Sequence, residues 1–428
     1  MIQIYEQYKD SGIDWIGQIP EHWEIKRFKY LFNEINERSI DGNEELLSVS
    51  QYTGVTKKSD KIDDGDLLTN ASTLEGYKKV RKHQLVSNIM LAWNGSLAFS
   101  EYNGITSPAY CIYELKHDDV YKYFHYLFKT DFYKSEFKRN SSGVIESRLR
   151  LYTDDFFSIW SVLPPIHEQH SIAKFLDEKT AKIDALVQTK EQQIEKLKEL
   201  RQAKIHQVVT KGLDANAPTK DSGVEWIGEI PAHWEVKRLK NLFQIVNGAT
   251  PSSAILSYWG GDITWVTPKD VNNIKYISES ERNISISGYK SCGTSLIPKG
   301  SIILTTRAPI GKVVIANKEL CTNQGCKSLV KINNQNNEFI YSVLDISSKV
   351  LNSLGTGTTF MELSNVALKN FQLPIPPIQE QEQIVAYLDE VTGKIDQAIA
   401  QKQEQITKLK EYKQSLINDV VTGKVKVC

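Results

Sequence analysis

Residues 9–24 read KDSGIDWIGQIPEHWE, and residues 220–235 read KDSGVEWIGEIPAHWE. A second doubled stretch lies downstream, with PPIHEQ at 164–169 and PPIQEQ at 376–381. The first pair is separated by 211 positions (Ser11 to Ser222) and the second by 212 (Pro164 to Pro376), so one unit of about half the chain is used twice. A repeat of this length decides the architecture before any local pattern is considered.

The regions between the doubled stretches differ from each other. Residues 25–160 and 236–372 show no convincing alignment beyond their first few positions. A duplication that kept its ends while its middles diverged predicts a common frame that presents two unlike surfaces. Within the second region, the β-rich run 301–315, interrupted at Arg307-Ala308-Pro309, predicts a strand, a turn and a strand.

A long helix is predicted after each Pro-Pro-Ile, because the sequence there lacks proline and is rich in Lys, Glu, Gln and Leu. A helix from Glu168 to Thr210 is roughly 60 Å long and cannot bury its apolar stripe alone. The stripe has the alternating four- and three-residue spacing of a coiled-coil seam, so the expected partner is the other copy, packed antiparallel. The predicted seam residues are Leu176, Ile183, Val187, Ile194, Leu197, Leu388, Ile395, Ile399, Ile406 and Leu409.

The seam has one polar interruption, and the helices also have an alternative interpretation. Lys190 and Lys402 interrupt it at the same position of the two copies, where a polar residue can set the register. The alternative interpretation is that each helix only links two domains, and the matched seams of the two copies argue against it.

Composition excludes several classes of protein. Lys plus Arg number 52 and Asp plus Glu number 52, which argues against a simple non-specific polyanion binder but allows a local basic surface. We find no signal peptide and no run long enough to span a bilayer, so a cytoplasmic location is expected. The five cysteines are too scattered for a disulfide framework or a metal knuckle, and Cys321 and Cys326 are expected as buried core thiols.

Catalytic motifs are nearly absent from the sequence. There is no phosphate-binding Gly-rich loop, no Gly-x-Ser-x-Gly and no His-Glu-x-x-His. Glu24 and Lys26, repeated as Glu235 and Lys237, could serve a metal-dependent nuclease, in which carboxylates hold the metal ion. The alternative, which we favour, is that these residues belong to a docking element at the base of each globular region. No metal site and no catalytic residue are predicted.

Polar and basic loops predict recognition of DNA, because Lys and Arg neutralise phosphates and Arg and Asn pair with base edges. The alternative is that such runs are ordinary solvated surface, and Trp259 and Trp265 are expected to pack rather than to stack on bases. The candidates in the first region are Lys57, Lys58, Tyr77, Lys78, Lys79, Arg81, Lys82, Lys138, Arg139, Asn140, Ser142, Arg148 and Arg150. Those in the second region are Thr250, Ser252, Lys269, Arg307, Thr356, Thr358 and Thr359.

The doubled Ser-Gly-x-x-Trp-Ile-Gly-x-Ile-Pro-x-His-Trp and Pro-Pro-Ile-x-Glu-Gln stretches resemble the specificity subunit of type I restriction–modification systems. The likeness covers essentially the whole chain. Gly248-Ala249-Thr250-Pro251 through Trp265 also looks like the opening of a target-recognition domain of that family, whereas the first region lacks this opening. The resemblance implies two domains that each read one half of an interrupted, asymmetric DNA site, with the helices as spacer.

The expected fold is α+β, with two α/β target-recognition domains separated by a pair of long antiparallel helices in a coiled coil and related by a pseudo-twofold internal repeat. The expected parts are an N-terminal repeat segment (1–24) packing near the C-terminal helix, recognition domain one (25–163), the central helix (164–212), a linker with the second repeat segment (213–235), recognition domain two (236–375) and the C-terminal helix (376–428).

The resemblance also implies partners. Two modification subunits would dock on the helices, bind S-adenosylmethionine and methylate adenine N6, and restriction subunits would use ATP and Mg²⁺. This chain itself would bind double-stranded DNA, no membrane and no cofactor, and would not be an enzyme. A nuclease with its own centre and a coiled-coil interaction protein remain the alternatives.

Overall fold

The computed structural model of the chain describes residues 3–61, 71, 73–117, 120–272, 274–357 and 361–427. The chain divides into two compact units, which we call unit 1 (residues 1–190 and 404–428) and unit 2 (residues 191–403). Each unit contains one copy of both doubled stretches, and it is completed by part of the long helix that belongs to the other copy.

Unit 1 is built around a four-stranded antiparallel sheet in the order β4-β11-β8-β9. The strands of unit 1, including those outside this sheet, are β1 (Tyr8–Asp10), β2 (Gln18–Pro20), β3 (Glu24–Arg27), β4 (Phe32–Ile35), β5 (Leu47–Ser50), β6 (Gly54–Lys57), β7 (Lys78–Val80), β8 (Leu85–Ser87), β9 (Leu97–Phe99), β10 (Gly104–Thr106), β11 (Cys111–Leu115) and β12 (Trp160–Leu163). Its helices are α1 (Tyr121–Leu127), α2 (Asp131–Arg139), α3 (Thr153–Ser158) and the first part of α4 (Ile166–Lys211).

Unit 2 is built around a five-stranded sheet in the order β16-β23-β20-β21-β18, antiparallel except for the β18–β21 pair. The strands of unit 2, including those outside this sheet, are β13 (Thr219–Asp221), β14 (Glu229–Pro231), β15 (Glu235–Arg238), β16 (Phe243–Asn247), β17 (Trp259–Val266), β18 (Tyr276–Ile277), β19 (Asn283–Ile284), β20 (Ile302–Thr305), β21 (Val313–Ala316), β22 (Cys321–Thr322), β23 (Cys326–Lys331) and β24 (Gln372–Ile375). Its helices are α5 (Ile286–Ser291), α6 (Asn337–Ile346), α7 (Ser348–Ser353), α8 (Asn365–Asn370) and α9 (Ile378–Val421), of which the last continues into unit 1.

The two central sheets share one topology. The order β4-β11-β8-β9 in unit 1 matches β16-β23-β20-β21 in unit 2, strand for strand along the chain. In each unit the strand at the end of the repeated block pairs with the strand before the long helix, as β3–β12 and β15–β24. The predicted strand–turn–strand at 301–315 is confirmed, because β20 and β21 form an antiparallel pair.

The doubled stretches contact each other inside each unit. In unit 1 the Glu168 carboxylate accepts hydrogen bonds from the Trp23 indole at 3.0 Å and the Tyr5 hydroxyl at 2.8 Å, and it pairs with His22. In unit 2 the Glu380 carboxylate accepts from the Trp234 indole at 3.1 Å. We call this arrangement the frame, and it explains why His-Trp and Pro-Pro-Ile-x-Glu recur together.

The glutamine that follows each of these glutamates serves the same frame. Gln169 accepts a hydrogen bond from the Val120 backbone N–H, just before α1, at 2.9 Å. Gln381 accepts from the Asn336 backbone N–H, just before α6, at 2.8 Å. Both glutamines are buried, so each carboxamide satisfies a backbone group that would otherwise lose its hydrogen bond.

Each long helix begins after proline and ends at glycine, as helix sequences favour. Gly212 and Gly423 adopt φ values of +74° and +78°, and a Cβ on Gly423 would lie 2.5 Å from Pro20 and 3.1 Å from Trp23. In unit 1 the segment after α9 pairs with the segment before β1, where the Lys426 N–H donates to the Gln3 carbonyl at 2.8 Å. Residues 3–23 of the repeat segment thus contact the end of α9 and the residues that follow it.

Within each unit the two long helices lie antiparallel and repeat the same cross-helix pairs. Lys190 donates to Gln405 at 2.6 Å in unit 1, and Lys402 donates to Gln193 at 2.7 Å in unit 2. Lys413 pairs with Asp184 at 2.7 Å in unit 1, and Arg201 pairs with Asp396 at 3.1 Å in unit 2. Of the predicted seam residues, Leu176, Ile183, Val187, Ile194, Leu388, Ile395 and Ile406 are buried, and Leu197, Ile399 and Leu409 are half-buried.

The cores of the two units differ in chemistry. Unit 1 packs mainly aromatic rings around Phe28, Phe32 and Phe156, whereas unit 2 packs mainly aliphatic side chains around Ile302, Leu329 and Val343. Cys321 and Cys326 are buried, as the sequence predicts. None of the described helices combines the length and the apolarity needed to cross a bilayer.

Candidate nucleic-acid interface

Three segments of unit 1 meet at one end of its central sheet. β8 ends at Ser87 beside Cys111, where antiparallel β11 begins, so loop 88–96 and turn 107–110 must lie at the same end. The Asn88 carboxamide donates to the Tyr110 hydroxyl across them at 3.1 Å. The third segment is finger 1, residues 142–150, which the Leu151 N–H joins to the Ile89 carbonyl at 2.9 Å.

Unit 2 has the same three segments at the corresponding end. β20 ends at Thr305 beside Cys326, the first residue of β23, and the Thr306 N–H donates to the Gly325 carbonyl at 2.8 Å. The Leu363 N–H donates to the Thr306 carbonyl at 2.8 Å and attaches finger 2, which the structure describes at residues 356–357 and 361–362. The end formed by loop 88–96, turn 107–110 and finger 1, and that formed by loop 306–312, turn 323–325 and finger 2, are called the loop end of each unit.

The two fingers are closed in the same way. Ser142 and Arg150 exchange two backbone hydrogen bonds of 2.9 Å each, and Thr356 and Glu362 exchange two of 3.0 and 3.1 Å. A Cβ on Gly143 would lie 2.6 Å from the Arg148 carbonyl oxygen, so this position has no room for a side chain. In finger 1, two strand-like arms joined by hydrogen bonds hold the tip at a defined place, and in finger 2 the Thr356–Glu362 pair closes the base.

Finger 1 and the adjoining helix α2 collect six of the predicted DNA-contact residues. Arg148 is exposed and Arg150 half-buried. Lys138 pairs with Glu146 within the finger and lies over the Trp93 ring of loop 88–96 at 5.4 Å. Arg139 pairs with Glu136 at 3.2 Å. Asn140 donates to the Glu136 carbonyl at 2.9 Å, and Ser142 closes the finger as described.

The loop end of unit 2 brings together predicted residues that are far apart in sequence. Arg307 donates to Glu362 of finger 2 at 3.1 Å, and Thr356 lies on the same finger. Thr250 is hydrogen-bonded to Gln324 in turn 323–325. Thr358 and Thr359 lie outside the described residues.

A cleft of about 530 Å³ adjoins this loop end, lined by Lys269, Arg282, Trp265 and Asn323 among others. The guanidinium of Arg282 lies 3.8 Å from the centre of the Trp259 ring, and the Trp259 indole donates to the Ser252 carbonyl at 3.2 Å. The Trp265 indole donates to the Ala249 carbonyl at 2.9 Å and the side chain is buried. Both tryptophans therefore pack within the unit.

Sequence reasoning missed several polar residues in or beside the loop end of unit 2, among them Gln324, Lys327 and Arg282. Burial lowers the pKa of the Lys327 ammonium, and the nearby charges of Glu362 and Arg307 act in opposite directions. One sequence signal was available for the fingers, because the shift of 212 positions that relates the Pro-Pro-Ile stretches also places Arg150 on Glu362. That signal is weak without the strand order.

Residues 81–82 of the basic run 77–82 precede β8 whereas loop 88–96 follows it, so they lie at the opposite end of this strand. Lys78 pairs with Thr106 of β10, close to turn 107–110. Lys78 is buried in β7, so its ammonium has no free approach to a phosphate, and Tyr77 is half-buried. The basic side chains of this region have acidic neighbours: Lys78–Glu34 at 3.7 Å, Lys79–Glu44 at 3.2 Å, Arg81–Glu37 at 2.7 Å, Lys82–Glu101 at 3.6 Å and Lys57–Glu45 at 3.9 Å. Lys58 is half-buried beside them.

The Glu and Lys residues of the nuclease alternative form ion pairs with each other on β3 and on β15. Glu24 and Lys26 on β3 form an ion pair of 2.7 Å, as do Glu235 and Lys237 on β15. The lysine lowers the pKa of the exposed Glu235 carboxyl. Within the described ranges, no cluster of three or more His, Cys, Asp or Glu side chains could hold a metal ion.

A family model described as the type I restriction modification DNA specificity domain matches the chain twice, at residues 20–196 and 231–408. The chain belongs to this family. Each match covers a loop end, the strand pair β3–β12 or β15–β24, and the first part of a long helix. The matches include the end of the first doubled stretch and the whole of the second, with Trp23, Glu168, Trp234 and Glu380 of the frame.

Curated relatives agree with this assignment. The chain is 42% identical over 166 residues to the MjaIX specificity subunit of Methanocaldococcus jannaschii, a match that covers 38% of each chain. It is 26% identical over 457 aligned positions to the putative MjaX specificity subunit of the same organism, and this match covers the whole of both chains. The Escherichia coli EcoR124I/EcoR124II specificity subunit is 27% identical over 208 residues, 46% of this chain and 49% of that one.

Two solved structures have the same fold as this chain. One, from a study of assembly and conformational transition of a type I R-M system, has a TM-score of 0.73 at 17% identity and covers 94% of this chain and 98% of its own. The other, the HsdS subunit from Thermoanaerobacter tengcongensis, has a TM-score of 0.56 at 17% identity and covers 95% and 98%. At this identity the likeness concerns the fold alone.

Proposed function

We propose that this specificity subunit reads a bipartite, asymmetric DNA site, one half with each loop end. The observation that carries the proposal is that both units present the same three segments on the same strand order, but with unlike side chains. A shared position with different chemistry is what two different half-sites require. The long helices that run through both units would set the gap between the half-sites.

In unit 1 the proposed phosphate contacts are Lys138, Arg139, Arg148 and Arg150, with Asn140 and Ser142 available to bases. Lys78 is left out because it is buried in β7, and Lys79, Arg81 and Lys82 because they lie on β7 or before β8 and not in the segments of the loop end. A good bidentate contact to a base contributes about 1–3 kcal/mol of discrimination. Specificity would therefore depend on a few finger side chains, and affinity on the cations around them.

In unit 2 the proposed contacts are Arg307, Lys269, Thr250, Ser252 and Thr356, joined by Gln324 and Lys327. Arg307 is about half exposed and its partner Glu362 is also solvent-accessible, so the guanidinium can exchange this carboxylate for a phosphate or a guanine edge. Thr358 and Thr359, outside the described residues, remain sequence-based candidates.

We further propose that the chain is not itself an enzyme and that modification subunits dock on its helices. Leu200 in unit 2 and Tyr412 in unit 1 occupy equivalent repeat positions, 212 residues apart, and are 45% and 56% exposed. A repeated, exposed apolar position suits two copies of one partner. Those partners would bring S-adenosylmethionine, and restriction subunits would bring ATP and Mg²⁺.

The test is methylation mapping after the chain is co-expressed with its modification subunit in a host without DNA methylation. We expect N6-methyladenine in an interrupted two-part motif. Replacing residues 25–160 with those of another specificity subunit should change one half of the motif only. A change in both halves, or no methylation from an assembled complex, would contradict the proposal.

A further inference from the structure

The tip of finger 1 carries two apolar side chains that the polar contacts proposed above leave unexplained. Val144 is 98% exposed and Ile145 is 52% exposed. A single exposed apolar residue is ordinary on a protein surface. Two adjacent ones at the tip of a closed finger, inside the candidate interface, suggest a surface that is covered when the protein is bound.

The finger is held rigidly enough to present this tip. The two backbone hydrogen bonds between Ser142 and Arg150 close its base, and the Arg148 N–H donates to the Ile145 carbonyl at 2.8 Å to form a turn just behind the tip. Gly143 lets the two arms approach closely, as described above. Val144 and Ile145 are β-branched and have few rotamers, so little side-chain entropy is lost when they are covered.

The surroundings of the tip favour a polyanionic partner. Residues 131–150 contain five Lys or Arg (134, 138, 139, 148 and 150) and three Asp or Glu (131, 136 and 146), a net charge of +2 in a chain whose overall charge is zero. The apolar tip therefore projects from a locally basic region, where phosphates would attract the backbone of DNA toward it.

Resting on the proposed function, we propose that Val144 and Ile145 read a thymine of the unit 1 half-site by contact with its C5-methyl group. A two-stranded finger fits the major groove, about 12 Å wide, and not the minor groove, about 6 Å wide. The thymine methyl is the one apolar group that base pairs display in the major groove. An apolar tip set among cations thus selects A·T pairs by a methyl contact while the cations hold the phosphates.

The experiment uses the full chain assembled with its modification subunits, after the two-part motif is mapped and its unit 1 half is identified by exchange of residues 25–160. Binding is measured on duplexes in which each thymine of that half is replaced in turn by deoxyuridine, which removes only the methyl group. For the natural chain, one replacement should weaken binding about fourfold, the effect of one buried methyl-sized group. The double variant V144S/I145S should bind both duplexes equally.

Matched controls separate this contact from general surface effects. Ile40→Ser changes an 87% exposed apolar residue of the same unit and should keep the fourfold sensitivity. Val144→Ser alone removes both methyl groups of this side chain and should reduce the sensitivity, which provides a second test if the double variant does not assemble.

A unit 1 half-site without thymine, insensitivity of the natural chain to every replacement, or equal sensitivity in V144S/I145S would each overturn the inference and leave the two-part motif standing. Absence of any motif from the assembled natural complex would instead overturn the proposed function and this inference with it.

Discussion

Units 1 and 2 keep the same strand order and the same frame but build their interiors from different chemistry. Phe28 of unit 1 contacts the rings of Phe32, Phe128 and Phe156, whereas Ile302 of unit 2 packs among aliphatic side chains. A core tolerates extensive exchange when volume and pattern are retained. The frame does not have this freedom, because buried Glu168 and Trp23 must meet with hydrogen-bonding geometry.

The largest expected effect tests whether each frame stabilises its own unit independently of the other frame. Trp23 and Trp234 are both fully buried, so replacing either with alanine should cost about 3–5 kcal/mol of unfolding free energy. Hydrogen exchange followed by mass spectrometry should show faster exchange in β4, β8 and β11 for W23A and in β16, β20 and β23 for W234A. A variant that loosens both units alike would contradict the independence of the frames.

A smaller effect should distinguish the two frames. Glu168 accepts from Tyr5 as well as from Trp23 and its side chain is 6% exposed, whereas the Glu380 side chain is 22% exposed. Glu168→Gln should cost about 1–3 kcal/mol, because buried donors lose a charged acceptor. Glu380→Gln should cost less. Equal losses in denaturant unfolding of the two variants would show that burial does not set the difference.

The stability of unit 1 at low pH should also depend on Glu168. Burial alone would raise the pKa of the Glu168 carboxyl, but hydrogen bonds from Tyr5, His22 and Trp23 lower it overall below the ordinary 4.5. The stabilisation from this carboxylate is therefore complete above pH 4.5 and is lost as the pH falls through the lower folded-state pKa. Unfolding midpoints of unit 1 should fall across that range in the natural chain, and fall less in Glu168→Gln.

The smallest expected effect concerns the helix pair. Lys413–Asp184 and Arg201–Asp396 are partly exposed equivalents in the two units. Replacing Lys413 or Arg201 with glutamine should cost less than about 1 kcal/mol, and the cost should shrink in high salt. Thermal unfolding at low and high ionic strength measures this. A loss above about 2 kcal/mol would indicate that these pairs fix the register of the helices.

Most of what the sequence predicted lies where both copies retain the same or similar side chains, and the strand–turn–strand at 301–315 is an exception within a divergent region. The matched blocks and seams gave the frame, the two long helices and the family. The shared strand order was not visible, because strands such as β8 and β9 have only three residues, too short for a pattern, and the cores that they cover changed from aromatic to aliphatic. Topology survived where sequence similarity did not.

The candidate interface was predictable in part. Arg307, Thr356 and Thr250 were selected as isolated polar loop residues, and only the pairing of β20 with β23 shows that they share one end of a sheet. Lys78 was misjudged as a loop residue because the run 77–82 contains strand β7, which pairs with β10 and buries alternate side chains. Val144 and Ile145 drew no attention, since an apolar pair in a short loop is visible as exposed only in the structure.

The segment after α9 packs against the segment before β1, where Lys426 is hydrogen-bonded to Gln3, and this packing affects the order in which the two units can fold during synthesis. Residues 191–403, which make up unit 2, are synthesised without interruption, whereas unit 1 needs residues 404–427 to cover Trp23 and Pro20. Domains generally fold as their residues emerge. Unit 2, although encoded later, is therefore the first that can close, and unit 1 cannot complete the packing around Pro20 and Trp23 until residues 404–427 have been synthesised.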